Sequence, residues 1–169
     1  MKPVSAVRAT LLSVAISITL AGCSGDNNEM SQEDIQYLSH LDQSRFFQRQ
    51  GELKASTLEA RSAIDLRPEN IDPYFLIIDN LLKAGDAVNA ERQLDWVMGQ
   101  IPEEEIGPAV NNQANLMYAE AYLMRNEYEQ ALTALNRITS PDRPTETEVA
   151  LLRGETYLAS SRLDEASAA

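Results

Sequence analysis

Residues 71–104 read IDPYFLIIDNLLKAGDAVNAERQLDWVMGQIPEE, and that stretch encodes two helices with a turn between them. Tyr74, Ile77, Ile78 and Leu81 recur at the three- and four-residue spacing that lines one face of a helix. Gly85 interrupts them and supplies the backbone freedom to reverse direction between antiparallel helices. In the second run, Ala90 is small enough to let its helix approach the first closely, and Val97 continues the apolar face. Pro102 then stops the helix, because the residue before a proline is pushed away from helical geometry.

The same marks return on either side at a period of about 34 residues, the length of a helix-turn-helix repeat. Counting back places a copy at 37–70, with Phe47, Gly51, Ala63 and Pro68 at the eleventh, fifteenth, twenty-seventh and thirty-second places. Counting forward finds a copy at 112–145, shifted by the inserted segment 105–111, with Ala119, Tyr122, Tyr128, Ala131 and Ile138 in phase. Pro108 suits the first turn of a helix, so the insertion is expected to lengthen that copy's first helix. A fourth copy starts near Thr147, with Gly154, Tyr157, Leu163 and Ala166 in phase, and the sequence stops at Ala169 inside its second helix. That ending implies an array that continues beyond the given residues, since a terminal repeat normally carries a polar cap.

This pattern resembles the tetratricopeptide repeat over residues 37–169. The resemblance implies an all-α protein: a right-handed solenoid of about three and a half repeats, at 37–70, 71–104, 112–145 and 147–169. The first copy departs from the family pattern. His40, Gln43, Ser44 and Ser56 stand where an aromatic, a leucine, a small residue and an alanine are usual. Its first helix is expected to begin earlier, because Ser31 with Asp34 resembles a capping box. An ordinary helical bundle is the competing fold, but it does not explain glycines, alanines and aromatics at matched phase.

In the family, the second, fifth, ninth and twelfth places of each repeat point into a concave groove. Carried onto this chain, the fifth places are Leu41, Phe75, Leu116 and Leu151, and the twelfth are Gln48, Leu82, Leu123 and Leu158. The ninth places are Arg45, Asp79, Glu120 and Glu155. The implied groove is an apolar stripe beside an acidic one, fit for a protein or peptide partner of apolar and basic character. The other reading of those leucines is packing against neighbouring repeats. The lysine and asparagine pattern that clamps a terminal carboxylate is absent at these places.

The amino terminus carries an address. Lys2 and Arg8 precede the apolar run ATLLSVAISITL at 9–20, which is too short for the roughly 20 residues of a membrane-crossing helix and reads as a signal peptide spanning 1–22. An uncleaved anchor helix is the alternative. Leu20-Ala21-Gly22-Cys23 resembles the lipobox of bacterial lipoproteins, which implies cleavage before Cys23 and lipidation of its thiol. Two or three acyl chains hold a protein stably where one does not, at about 0.8 kcal/mol per buried methylene. Ser24 resembles the outer-membrane sorting choice, and the small polar residues of 23–30 read as a lipidated tether. The implied protein is a lipid-anchored periplasmic scaffold of the cell envelope, similar to the repeat lipoproteins that accompany exopolysaccharide or protein-sorting systems. The alternative is the non-catalytic front part of a longer polysaccharide-synthesis or export component.

Charge and chemistry narrow the functions further. The formal charge is −12, and residues 1–22 hold two basic residues and no acid, so the remaining chain is more acidic still. Such a surface repels nucleic acid; it also simply keeps a protein soluble. Cys23 is the sole cysteine and His40 the sole histidine, so neither a disulfide, a zinc site nor a cysteine-histidine pair is expected. No phosphate loop or nucleophile-elbow motif appears, and Glu103-Glu104-Glu105 lacks the spacing of a calcium loop. No catalytic residue, cofactor or metal is expected.

Overall fold

A computed structural model describes residues 30–139 and 141–161. The signal peptide (1–22) and most of the tether (23–30), with the lipidation site Cys23, lie outside the described residues. Among those described, the chain forms seven α-helices and one 3-10 turn, with no strand. The helices are α1 (Gln32–Arg49), α2 (Leu53–Leu66), α3 (Asp72–Lys83), α4 (Ala87–Met98), α5 (Pro108–Met124), α6 (Tyr128–Asn136) and α7 (Arg143–Ala159). They pair as α1/α2, α3/α4 and α5/α6, and α7 is the first helix of a fourth unit.

Local chemistry fixes the ends. Ser31 and Asp34 form the expected capping box, the Asp34 amide donating to Ser31 Oγ at 3.0 Å and the Ser31 amide to Asp34 Oδ2 at 3.3 Å, so α1 starts before the counted repeat. Asp86 caps α4 and Asp142 caps α7. Pro73, Pro108 and Pro144 sit in first turns, where a missing amide hydrogen costs nothing. The insertion extends α5 back to Pro108 as expected, and Glu103–Glu105 form the 3-10 turn ahead of it. α7 begins at Arg143, slightly before its counted start.

The fifteenth place turns the chain in all four units. Gly51 and Gly85 have φ of 77° and 82°, and Asn126 and Ser161 take the same left-handed conformation at 61° and 62°. Asparagine tolerates that region better than most residues because its short side chain bonds locally. Behind the turns, each pair closes through the eighth, twentieth and twenty-fourth places. These are Ile78, Ala90 and Leu94 in the second unit and Ala119, Ala131 and Leu135 in the third, all buried. In the first unit Ser44 and Ser56 occupy the eighth and twentieth places, and they bond to each other at 3.1 Å instead of packing apolar atoms.

Successive units stack chiefly by packing each second helix against the next first helix, α2 on α3, α4 on α5 and α6 on α7, and their first helices touch as well. α1 meets α3, α3 meets α5 and α5 meets α7, whereas α2, α4 and α6 do not touch one another. The first helices therefore form the crowded side of the array. At each junction the third, sixth and tenth places of one first helix face the preceding unit: Pro73, Leu76 and Asn80, then Ala114, Met117 and Ala121, then Val149, Leu152 and Thr156. They meet the fifth and twelfth places of that unit, so Leu41 packs with Leu76, Phe75 and Leu82 with Ala114 and Ala121, and Leu116 with Val149 and Leu152.

That packing corrects the expected apolar groove. Leu41, Phe75, Leu82 and Leu116 are core residues between repeats, Phe75 and Leu82 each only 2 % exposed. Leu123 is half-buried. Leu151 and Leu158, the same places on α7, are 62 % and 58 % exposed because no described helix follows. Apolar fifth and twelfth places serve stacking here, as the alternative reading of those leucines held.

Candidate interaction face on the first helices

With Leu41, Phe75, Leu82 and Leu116 withdrawn into the core, the ninth places are the polar positions left on α1, α3, α5 and α7, beside the exposed Leu151 and Leu158 of α7. Arg45 on α1 lies 3.7 Å from Asp42 and 3.7 Å from Asp72 of the next unit, so the guanidinium bridges two repeats. Asp79 on α3 is held by Lys83 one turn later. Glu120 on α5 is partly buried, and that burial, reinforced by the like charges of Asp79, Glu148 and Glu155, raises its pKa above the ordinary carboxylate range, while Lys83 partly offsets the effect. Asp79, Glu148 and Glu155 thus lie near enough to act electrostatically on Glu120, while Arg45 pairs with Asp42 and Asp72.

Two clefts open between these helices. One of about 180 Å³ lies where α1, α3 and α5 meet, bordered by Arg45, Asp72, Asp79, Gln113 and Met117. A second, of about 540 Å³, runs between α5 and α7 and is bordered by Asn112, Gln113, Leu116, Asp142 and Glu148. Each lining mixes two acids with amide and apolar side chains; in the first cleft Asp72 and Asp79 are paired with Arg45 and Lys83, whereas among the described residues no cation borders the second beside Asp142 and Glu148. Among the described residues no group of acids and histidines could hold a metal ion, and no helix is long and apolar enough to cross a membrane. His40 Nδ1 is hydrogen-bonded to Glu59 Oε2 at 2.7 Å, linking α1 to α2.

Several residues that position this face carried no obvious sequence signal. Asn112 clamps the chain after α6, its amide donating to the Thr139 carbonyl at 2.9 Å while its oxygen accepts from the Thr139 amide at 3.0 Å. Arg125 joins the second unit to the third through Glu91 and Glu127, with its guanidinium 5.5 Å from the Tyr122 ring centre. Tyr118 donates to Asp95 at 2.7 Å, and burial followed by that carboxylate raises its pKa well above the phenol range. Only Asn112 was findable by counting, since it opens the third unit.

The model of the tetratricopeptide repeat-like domain family matches residues 77–169, more than half of the chain. The chain belongs to the tetratricopeptide repeat family. No curated protein and no solved structure matches it. A tetratricopeptide domain is a scaffold for protein–protein interaction. The matched span includes Asp79, Glu120, Glu148 and Glu155.

Proposed function

We propose that this tetratricopeptide protein is a lipid-anchored periplasmic scaffold that recruits a basic segment of another protein in a cell-envelope assembly or secretion process. The recruiting site is the first-helix face, and the observation that carries it is the convergence of Asp79, Glu148 and Glu155 on the partly buried Glu120. Three neighbouring helices supply those acids, and no sequence-local reason gathers them. A partner bringing lysine or arginine to that spot relieves the mutual repulsion of the acids, so binding and stability rise together.

The location rests on the Leu20-Ala21-Gly22-Cys23 lipobox after a short apolar run. It supports acylation of Cys23 and retention at the outer membrane facing the periplasm. Mass spectrometry of the protein extracted from membranes is expected to find an acylated amino-terminal Cys23, and Cys23→Ala is expected to release the chain into the soluble fraction. A free Cys23 thiol on protein that still sediments with membranes overturns the anchor. For the face itself, a photo-crosslinker placed at the exposed Gln113, which borders both clefts, captures the partner, and Glu120→Lys with Glu155→Lys abolishes capture while the helical circular dichroism stays unchanged. Undiminished capture by that folded double variant overturns the site. Phe75 and Leu116 are unsuitable for this test, because replacing core residues reports on folding.

A further inference from the structure

The inserted segment does more than lengthen α5. Between α4 and α5 the chain runs through Pro102, the 3-10 turn ending at Glu105, and Gly107 before re-entering helix at Pro108. On the other side, the connection from α2 to α3 passes through Pro68, Glu69 and Ile71. The two connections wall a cleft of about 530 Å³ whose floor carries Tyr74 of α3 and Trp96 of α4. That volume falls in the range of roughly 300–1,000 Å³ occupied by ligand sites.

The floor is made ready for a ligand. Tyr74 and Trp96 lie with ring centres 5.7 Å apart and planes inclined at 49°, so their faces form a notch. The Tyr74 hydroxyl donates to the Pro68 carbonyl at 3.1 Å, which fixes the ring and leaves it no unsatisfied polar group. Trp96, the sole tryptophan, is 50 % exposed. Ile101 and Val110 extend the apolar lining, and among the described residues the charged ones bordering the cleft are Glu69 and Glu105, one from each connection.

We propose that the cleft between Tyr74 and Trp96 is a peptide-binding site, separate from the first-helix face, that takes an extended proline-containing segment flanked by lysine or arginine. Aromatic faces pack against the compact apolar pyrrolidine ring, the mode by which polyproline segments dock on aromatic-lined grooves. Such a segment is already extended when free, so it loses little freedom on binding. The acidic walls supply the complementary charge for its flanks and disfavour acidic segments. Neither the lipid anchor nor the acids around Glu120 enter this site, so it stands or falls independently of the proposed recruiting face.

The sole tryptophan makes the test direct. The emission of Trp96 is followed in the full-length chain as two synthetic peptides are titrated in, acetyl-Lys-Pro-Pro-Leu-Pro-Lys-amide and its counterpart with glutamate at both ends. The basic peptide is expected to shift the emission to the blue in a saturable way and to bind at least about tenfold more tightly, a difference of about 1.4 kcal/mol. A peptide with alanine for each proline is expected to bind as weakly as the acidic one. Glu69→Lys with Glu105→Lys, both on the surface, is expected to reverse the charge preference while the far-ultraviolet circular dichroism is unchanged. No saturable shift with the basic peptide, or equal responses to all three peptides, overturns the proposal. An unaltered preference in the folded double variant overturns it as well.

Discussion

Glu120 is the residue on which the electrostatics of the first-helix face turn. Burial and the nearby acids raise its pKa in the folded chain above the ordinary 4.5. A carboxyl raised by folding favours the folded state fully below its unfolded value and loses that advantage as pH climbs through the folded one. At neutral pH the ionised Glu120 therefore weighs against folding. Glu120→Gln is expected to melt at a higher temperature than the parent at pH 7, with the two curves converging as pH falls below 4.5. Thermal melts of both proteins across that range check it, and a variant less stable at pH 7 refutes the assignment. Asp34 and Asp142 titrate in the opposite sense, each lowered chiefly by its capping hydrogen bonds, but they are common to both proteins and cancel in the difference. That Glu120 is a ninth place was legible by counting. Its raised pKa was not, because Asp79, Glu148 and Glu155 come from other helices and meet it only once the units stack. Ser161 shows the converse case: serine, unlike the asparagine at 126, does not announce a left-handed turn, yet counting to the fifteenth place from Thr147 locates it.

At the scale of helices, the junction between the first and second units differs from the next one in its chemistry. Asn80 of α3 is buried and accepts from Gln48 at 2.8 Å, while its amide donates to Ser56 at 2.8 Å and Thr57 at 3.1 Å. Ser44 completes the set by donating to the Ser56 carbonyl at 2.9 Å. One unit later the places of Gln48, Asn80 and Ser56 are held by Leu82, Ala121 and Ala90. The polar version is fully satisfied, so its groups cost little where they are and a good deal if half of them are removed. Asn80→Ala is expected to cost about 1–3 kcal/mol in urea denaturation, the loss for orphaning buried partners. Adding Gln48→Leu, which copies the next junction, is expected to recover part of that loss, and a double-mutant cycle with no coupling would falsify the network. From sequence alone, Ser44 and Ser56 looked like erosion of the repeat pattern. Hydroxyls at two matched places instead mark a junction cemented by hydrogen bonds, and the partner Asn80 lies 24 residues beyond Ser56, so no local window could show it.

Across the whole molecule, one pattern repeats with one exception. Every first helix presents apolar fifth and twelfth places to the unit that follows, save for Gln48, and each such face is covered wherever a following first helix is described. Among the described residues nothing covers the same face of α7. Leu82 and Leu158 thus occupy equivalent places, one 2 % and the other 58 % exposed. If burial alone sets their worth, Leu82→Ala costs about 2–5 kcal/mol by leaving a cavity between α3 and α5. Leu158→Ala, which removes a side chain already in water, is then expected to stay within about 0.5 kcal/mol of the parent. Urea denaturation of the isolated full-length chain separates the two, and comparable losses overturn an open α7 face by showing that a helix covers it in solution as α5 covers α3. Repeating the Leu158→Ala measurement with the crosslinked partner present extends the comparison. A cost that appears only in the complex assigns the end of the stack to the interface, because a side chain contributes to stability only against something that excludes water from it.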